Sequence, residues 1–198
     1  MSTTARVPKA ALTGFQARLL KAVVRRKVGR VPESLEVMWN HPRVLKDMAK
    51  FGGRTEKWGR LDEDLGTFAV MTAAAQIGCG FCLDVNYFAA HSRGLDVAEA
   101  REVPRWRDST VFTSLERRVM ECAEAMTSSP PAVTDELSAA LLEALGPDRL
   151  IELTGRIGYL NLAARSNVAL GISSEHFAES CGLPPMEVRT AGRTATAR

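Results

Sequence analysis

From Asp148 to Leu170 the chain places Leu150, Leu153, Ile157, Leu160, Ala164 and Val168 three or four residues apart, with Gly171 directly after the run. That spacing forms one stripe along a helix of about six turns and is incompatible with a strand, whose apolar residues alternate. No strand-like alternation competes with it elsewhere in the 198 residues, so the expected class is all-α.

Local signals divide the rest into shorter helices. Phe15, Leu19, Leu20, Val23, Val24 and Val28 recur at helical spacing among Lys21, Arg25, Arg26 and Lys27, which predicts a buried stripe beneath a solvated basic face ending near Gly29. Pro32 is placed to open a short helix through Trp39, and Pro42 another that runs to Phe51 and stops at Gly52-Gly53. Asp62 reads as the N-cap of Glu63 to Gln76, where Ala73-Ala74-Ala75 lets a neighbour approach closely. Gly78 breaks the chain, and a helix follows from Gly80 to Ser92 with Gly94 as its stop. Thr113-Ser114-Leu115-Glu116 is a capping box for a helix to Met126, and Pro130-Pro131 is the break after it. Thr134 caps a helix to Leu145, with Gly146 as its stop. Two helix-rich halves meet near Trp106 to Phe112. These signals imply a flexible leader at 1–11, one all-helical domain over 12–182 and a peripheral tail at 183–198.

With 45% hydrophobic and 25% charged residues the chain can bury its own core, and it holds no apolar run of membrane-spanning length. Arg6 and Lys9 are not followed by a signal-peptide core, so the expected compartment is the cytoplasm, with no membrane partner. Residues 1–60 carry 14 Lys and Arg against 4 Asp and Glu, whereas the remainder carry 12 against 19. Such asymmetry can mark a nucleic-acid arm, but no aromatic residues interleave with the basic run, so no nucleic-acid partner is expected.

Cys79-Gly80-Phe81-Cys82 is the segment where residue type, spacing and setting converge on chemistry. It lies at a predicted helix N-terminus, where free backbone N–H groups and about half a positive charge stabilise a thiolate. The spacing puts both sulfurs on one face, so one can attack a peroxide or disulfide while the other resolves the product. Four cysteines are too few for a disulfide scaffold, and Cys122 and Cys181 read as small apolar residues. A zinc site would need a second pair, and Cys122 with Cys181, or His91 with His176, are isolated residues. Neither a metal nor a cofactor is expected.

The thioredoxin arrangement needs a strand before the motif, and none is visible. An all-helical chain with Gln76-Ile77-Gly78-Cys79-Gly80-Phe81-Cys82-Leu83-Asp84, and later Asn-Leu-Ala-Ala-Arg-Ser-Asn-Val-Ala-Leu-Gly-Ile over Asn161 to Ile172, instead resembles the alkylhydroperoxidase D and carboxymuconolactone decarboxylase superfamily. The spacing between the two segments is similar to its peroxidase-related branch. The resemblance runs from Val31 to Gly171. It implies an oligomeric, all-helical bundle of alkylhydroperoxidase D-like fold whose dithiol reduces hydroperoxides and is recharged by a dithiol reductant, in some members a lipoyl-bearing protein. It nominates Cys82 as the peroxide-reacting sulfur and Cys79 as resolver, whereas helix-terminus electrostatics alone favour whichever sulfur lies nearest the free N–H groups. The family's proton relay has a Glu twelve residues before the first Cys and a His four after the second. Those positions are Thr67 and Asn86 here, and neither side chain is a base near neutral pH.

Glu63 precedes Thr67 by four residues and can approach the site from the same helical face. Glu63, Thr67 and Asn86 are therefore the candidate accessory residues beside Cys79 and Cys82. His91 falls on the opposite face of the helix from Cys82 and reads as structural or as a subunit contact. Asp84 faces away from the thiols, and Tyr87 and Phe88 read as packing. Asn161, Arg165 and Asn167 read as polar groups bridging helices or subunits rather than as catalysts. The reading is a peroxiredoxin-type thiol-disulfide oxidoreductase or hydroperoxide reductase of weak activity. Its alternative is a non-redox, decarboxylase-like enzyme or oligomeric binding protein for a small organic molecule.

Overall fold

In the computed structural model, residues 5–28, 30–180 and 182 are described. Ten α-helices follow one another: α1 (Gly14–Val28), α2 (Glu33–Met38), α3 (Pro42–Thr55), α4 (Glu63–Ile77), α5 (Gly80–Arg93), α6 (Val97–Glu102), α7 (Ser114–Thr127), α8 (Asp135–Leu145), α9 (Pro147–Leu170) and α10 (Phe177–Ser180). A short 3-10 turn, Val103–Arg105, continues α6. No strand occurs among the described residues, as the periodicity predicted.

Helix α4 is the centre of the bundle, packed against α5, α7 and α9. Its sequence explains the position, because nine of its fifteen residues, Leu65 to Ala69 and Met71 to Ala74, are buried and it has no polar face to turn outward. Asp62 caps it as expected, accepting the Asp64 and Leu65 N–H groups at 3.0 and 3.1 Å. From α9, Leu153, Ile157, Leu160 and Ala164 join the same core, whereas Val168 at the end of the predicted stripe is exposed. The Thr113 capping box and the Thr134 cap form as predicted. Trp106 lies in the common core, so the segment joining the two halves is part of one packed body.

Three local expectations change. Helix α3 runs through Gly52 and Gly53 to Thr55, and Gly52 provides close approach rather than a stop. A Cβ at Gly52 would collide with the Tyr159 phenol, whose hydroxyl donates to Met48 O at 3.1 Å and ties α9 to α3. Pro32 stands one residue before α2 rather than inside its first turn. The Glu33 and Ser34 N–H groups at the helix start donate to the Glu175 carboxylate, both at 2.9 Å. The α1 stripe is only half buried: Leu20 and Val24 turn towards Leu12, Ala17 and Leu35, but Phe15, Leu19 and Val23 are 82%, 59% and 47% exposed. The side chains of Lys27 and Val28, Gly29, Cys181, and the predicted tail lie outside the described residues. Within the predicted leader, Arg6 donates from its backbone N–H to Leu170 O at 2.8 Å and from its guanidinium to Ala169 O at 2.8 Å, satisfying carbonyls at the end of α9.

Candidate functional site

The break between α4 and α5 places the thiols. Gly78 adopts φ 77°, a left-handed conformation that closes α4, and the next N–H, that of Cys79, returns to Ala74 O at 2.9 Å. Cys79 thereby becomes the N-cap of α5, its sulfur accepting the Cys82 N–H at 3.3 Å. Cys82, one turn on, brings its sulfur to 2.6 Å from that of Cys79, and both are free thiols rather than a disulfide. The pair is buried, with Cys79 1% and Cys82 5% exposed.

The two thiols are driven apart in acidity. Hydrogen bonding from the Cys82 thiol, with further help from the Cys82 N–H, holds Cys79 below the ordinary thiol range despite its burial. Donation to Cys79, followed by burial and repulsion from a Cys79 thiolate, pushes Cys82 far above that range. Of the two sulfurs, Cys79 is therefore the more acidic, and a thiolate formed by the pair is favoured there. Access runs the other way: Cys82 lines a cavity of about 610 Å³, while Cys79 lies behind it.

Glu63, Thr67 and Asn86 all line the same cavity, and the side-chain partners of each are groups other than the two sulfurs. Thr67 is buried, donates to Glu63 O at 2.8 Å and accepts Arg93 Nη2 at 2.7 Å. Asn86 donates back along its own helix to Cys82 O at 2.8 Å. The Glu63 carboxylate, 65% exposed, faces Arg93 Nε at 3.6 Å rather than either sulfur.

Asn167 is the site residue that sequence reasoning assigned elsewhere. Its amide donates to Cys82 Sγ at 3.4 Å from α9, across 85 residues of chain. The signal was its register: Asn167 lies seven residues beyond Leu160, on the same face of α9. Asn161 and Arg165 do bridge helices as expected, Asn161 Nδ2 meeting Thr127 Oγ1 at 2.9 Å and Arg165 Nη2 meeting Thr127 O at 2.6 Å. Asp84 faces away from the thiols and caps α10, accepting the Phe177 and Ala178 N–H groups at 2.9 and 3.0 Å. His91 is exposed, Tyr87 is fully buried, and Phe88 packs on Phe177. Cys122 is buried, and burial pushes its thiol up to about 11, as befits a small core residue. No group of three or more metal-ligating side chains occurs among the described residues, and none of their helices is long and apolar enough to cross a membrane.

At the far end of the cavity from the thiols, Arg156 projects from α9 over Gly66, where a Cβ would lie 2.6 Å from its Nη1. Its Nη2 forms a buried ion pair with Glu152 at 2.7 Å, without the alignment of a good hydrogen bond. Burial raises the Glu152 carboxyl, but the Arg60 and Leu61 N–H groups and Arg156 outweigh it and hold the group below its usual range.

An all-helical bundle with a buried dithiol at a helix start beside an organic-sized cavity defines the class. The chain belongs to the carboxymuconolactone decarboxylase family, whose sequence profile matches residues 42–125. It is 31% identical over 152 residues to the uncharacterised Escherichia coli K12 protein YnjA, covering 76% of this chain and 84% of that one. Two solved structures share the fold. One is Agrobacterium tumefaciens ATU0492, proposed as the antioxidant defence protein AhpD, at 21% identity and TM-score 0.65, covering 69% of this chain and 94% of that one. The other is the debrominase Bmp8 bound to 2,3,4-tribromopyrrole, at 14% identity and TM-score 0.75, covering 89% and 96%. The fold is the all-α, alkylhydroperoxidase D-like one that the residues resembled.

Proposed function

We propose that the protein is a thiol-disulfide oxidoreductase that reduces an organic hydroperoxide or a partner disulfide through Cys79 and Cys82. The observation that carries this reading is the 2.6 Å contact between the two sulfurs, of which Cys82 lines the cavity. In the peroxide reaction Cys82 Sγ attacks the distal peroxide oxygen as its proton passes to the Cys79 thiolate. The O–O bond breaks, and the alkoxide takes a proton from solvent and leaves as the alcohol. Cys82 is then a sulfenic acid. Cys79, giving up its proton again, attacks that sulfur; hydroxide leaves as water and an intrachain disulfide remains. The thiols supply both electrons, and an external dithiol, such as a lipoyl-bearing protein, returns them. Thr67 and Asn86 supply no base, so turnover near neutral pH is slow.

The test is titration of thiols after adding tert-butyl hydroperoxide to the reduced protein. Two thiols should disappear together, and none in Cys82→Ser; no loss in the wild type, or unchanged loss in Cys82→Ser, overturns the assignment. A second reading keeps the cavity and omits the redox step: a decarboxylase-like enzyme or oligomeric binding protein for a small organic molecule. The missing relay favours it, and the debrominase with tribromopyrrole is an instance of this fold holding such a molecule. The same titration separates the two readings.

A further inference from the structure

The cavity has two unlike ends joined by an apolar middle. Along α5 its wall is one stripe: Cys82, Val85, Asn86, Ala89 and Arg93. Cys82 and Arg93 are eleven residues apart, close to three whole turns, so they share a face about 16 Å apart along the helix axis. Along α9 the wall runs in the opposite chain sense, from Asn167 beside Cys82, through Ala163 and Leu160, to Arg156. Met38, Leu45 and Met48 from α2 and α3 cover the middle. The volume of about 610 Å³ is that of a drug-sized organic ligand.

The far end carries two guanidiniums, and they are not equivalent. Arg156 is committed to Glu152 in a buried pair, the side chains 11% and 4% exposed. Arg93 is held by Thr67 through Nη2, while its carboxylate neighbour, Glu63, is 65% exposed and 3.6 Å from Nε. An exposed pair of that length is worth little, so an anion arriving from the cavity can displace Glu63. Glu56 and Lys57 face the cavity together and cancel in charge. Thr67 thus fixes the direction of Arg93.

We infer that the cavity takes an elongated, amphiphilic organic substrate: an apolar body carrying a terminal carboxylate, its head on Arg93 and its reactive group against Cys82. This names the substrate class of the proposed redox site and rests on Cys82 being the thiol that meets substrate. Arg93 is a specificity residue here, and Thr67 positions it.

The test uses the reduced full-length chain without oxidant, so it is independent of redox turnover. Isothermal titration compares decanoate with decanol, equal in length and differing in charge. Decanoate binds about ten-fold tighter, as one charge-assisted hydrogen bond provides, and protects Cys82 from iodoacetamide. Arg93→Gln removes the preference, and Arg93→Lys keeps part of it. Thr67→Val, which frees Arg93, reduces the preference without abolishing it. Equal binding of acid and alcohol, or an undiminished preference in an Arg93→Gln protein with wild-type circular dichroism, overturns the inference. Should Arg93→Gln fail to fold, the wild-type preference must fall as salt rises from 0.05 to about 0.5 M, and a salt-independent preference overturns it equally. Failure here leaves the hydroperoxide titration intact as a test of the dithiol, and failure there leaves this binding preference interpretable.

Discussion

At one end of the cavity, Cys79 and Cys82 sit 1% and 5% exposed among neutral donors: a backbone N–H, a neighbouring thiol and the Asn167 amide. At the other, Arg156 and Glu152 are nearly as buried but fully charged, each neutralising the other. Both ends exploit the same weak screening by solvent. Where no charge is fixed, a few donors lower the pKa of one thiol. Where charges are fixed, they are consumed by one another and contribute to architecture, here by tying the start of α4 to α9 through Arg60 and Leu61. The thiol end is poised for chemistry, and the charged end, Arg93 excepted, is structural.

The charged end gives the larger effect when broken. Glu152→Ala leaves Arg156 buried without its partner and should cost about 3 kcal/mol in urea denaturation, while thiol reactivity in the folded protein is unchanged. Glu152→Leu with Arg156→Met should recover most of that loss. The pH dependence follows in sign: Glu152 is held below 4.5 in the folded protein, so its stabilisation is complete above about 4.5 and is lost as pH falls through its lowered folded value. A variant lacking Glu152 should show a shallower decline in stability over that acid range.

The thiol end gives a smaller effect, in reactivity rather than stability. Removing the Asn167 amide takes a donor from the thiol pair, so the thiolate forms less readily. In Asn167→Ala the pH profile of iodoacetamide alkylation should move upward by about one pH unit, with the plateau rate at high pH retained. Asn167→Gln should restore part of the shift if it reaches the sulfur. An unmoved profile would mean that the neighbouring thiol and the backbone N–H groups set the acidity without Asn167.

Helices α4, α5, α7 and α8 were readable from the chain because each carries a local cap or stop, as in Asp62 and Gly78 or the Thr113–Glu116 box, and α9 because its apolar stripe runs for about six turns. So was the dithiol, since its spacing and its glycine are local. What could not be read depends on contacts distant in sequence. Gly52 resembles a helix stop until Tyr159 arrives against it, and Asn167 resembles any interhelical amide until α9 is laid beside Cys82. The α1 stripe was read as buried because periodicity records which residues share a face, not whether a neighbour covers it. Short helices such as α6 and α10 carry too few turns for a periodic signal, and α10 owes its cap to Asp84, 93 residues away.

The most direct measurement for the account is intact mass before and after full reduction, on protein first treated with hydroperoxide and then freed of it. The account predicts that the oxidised chain is lighter by two hydrogens, that reduction restores them, and that Cys79→Ser and Cys82→Ser each abolish the shift. A chain whose mass is unchanged by hydroperoxide, or which gains oxygen without closing a disulfide, would contradict the claim that these two sulfurs work as one redox pair.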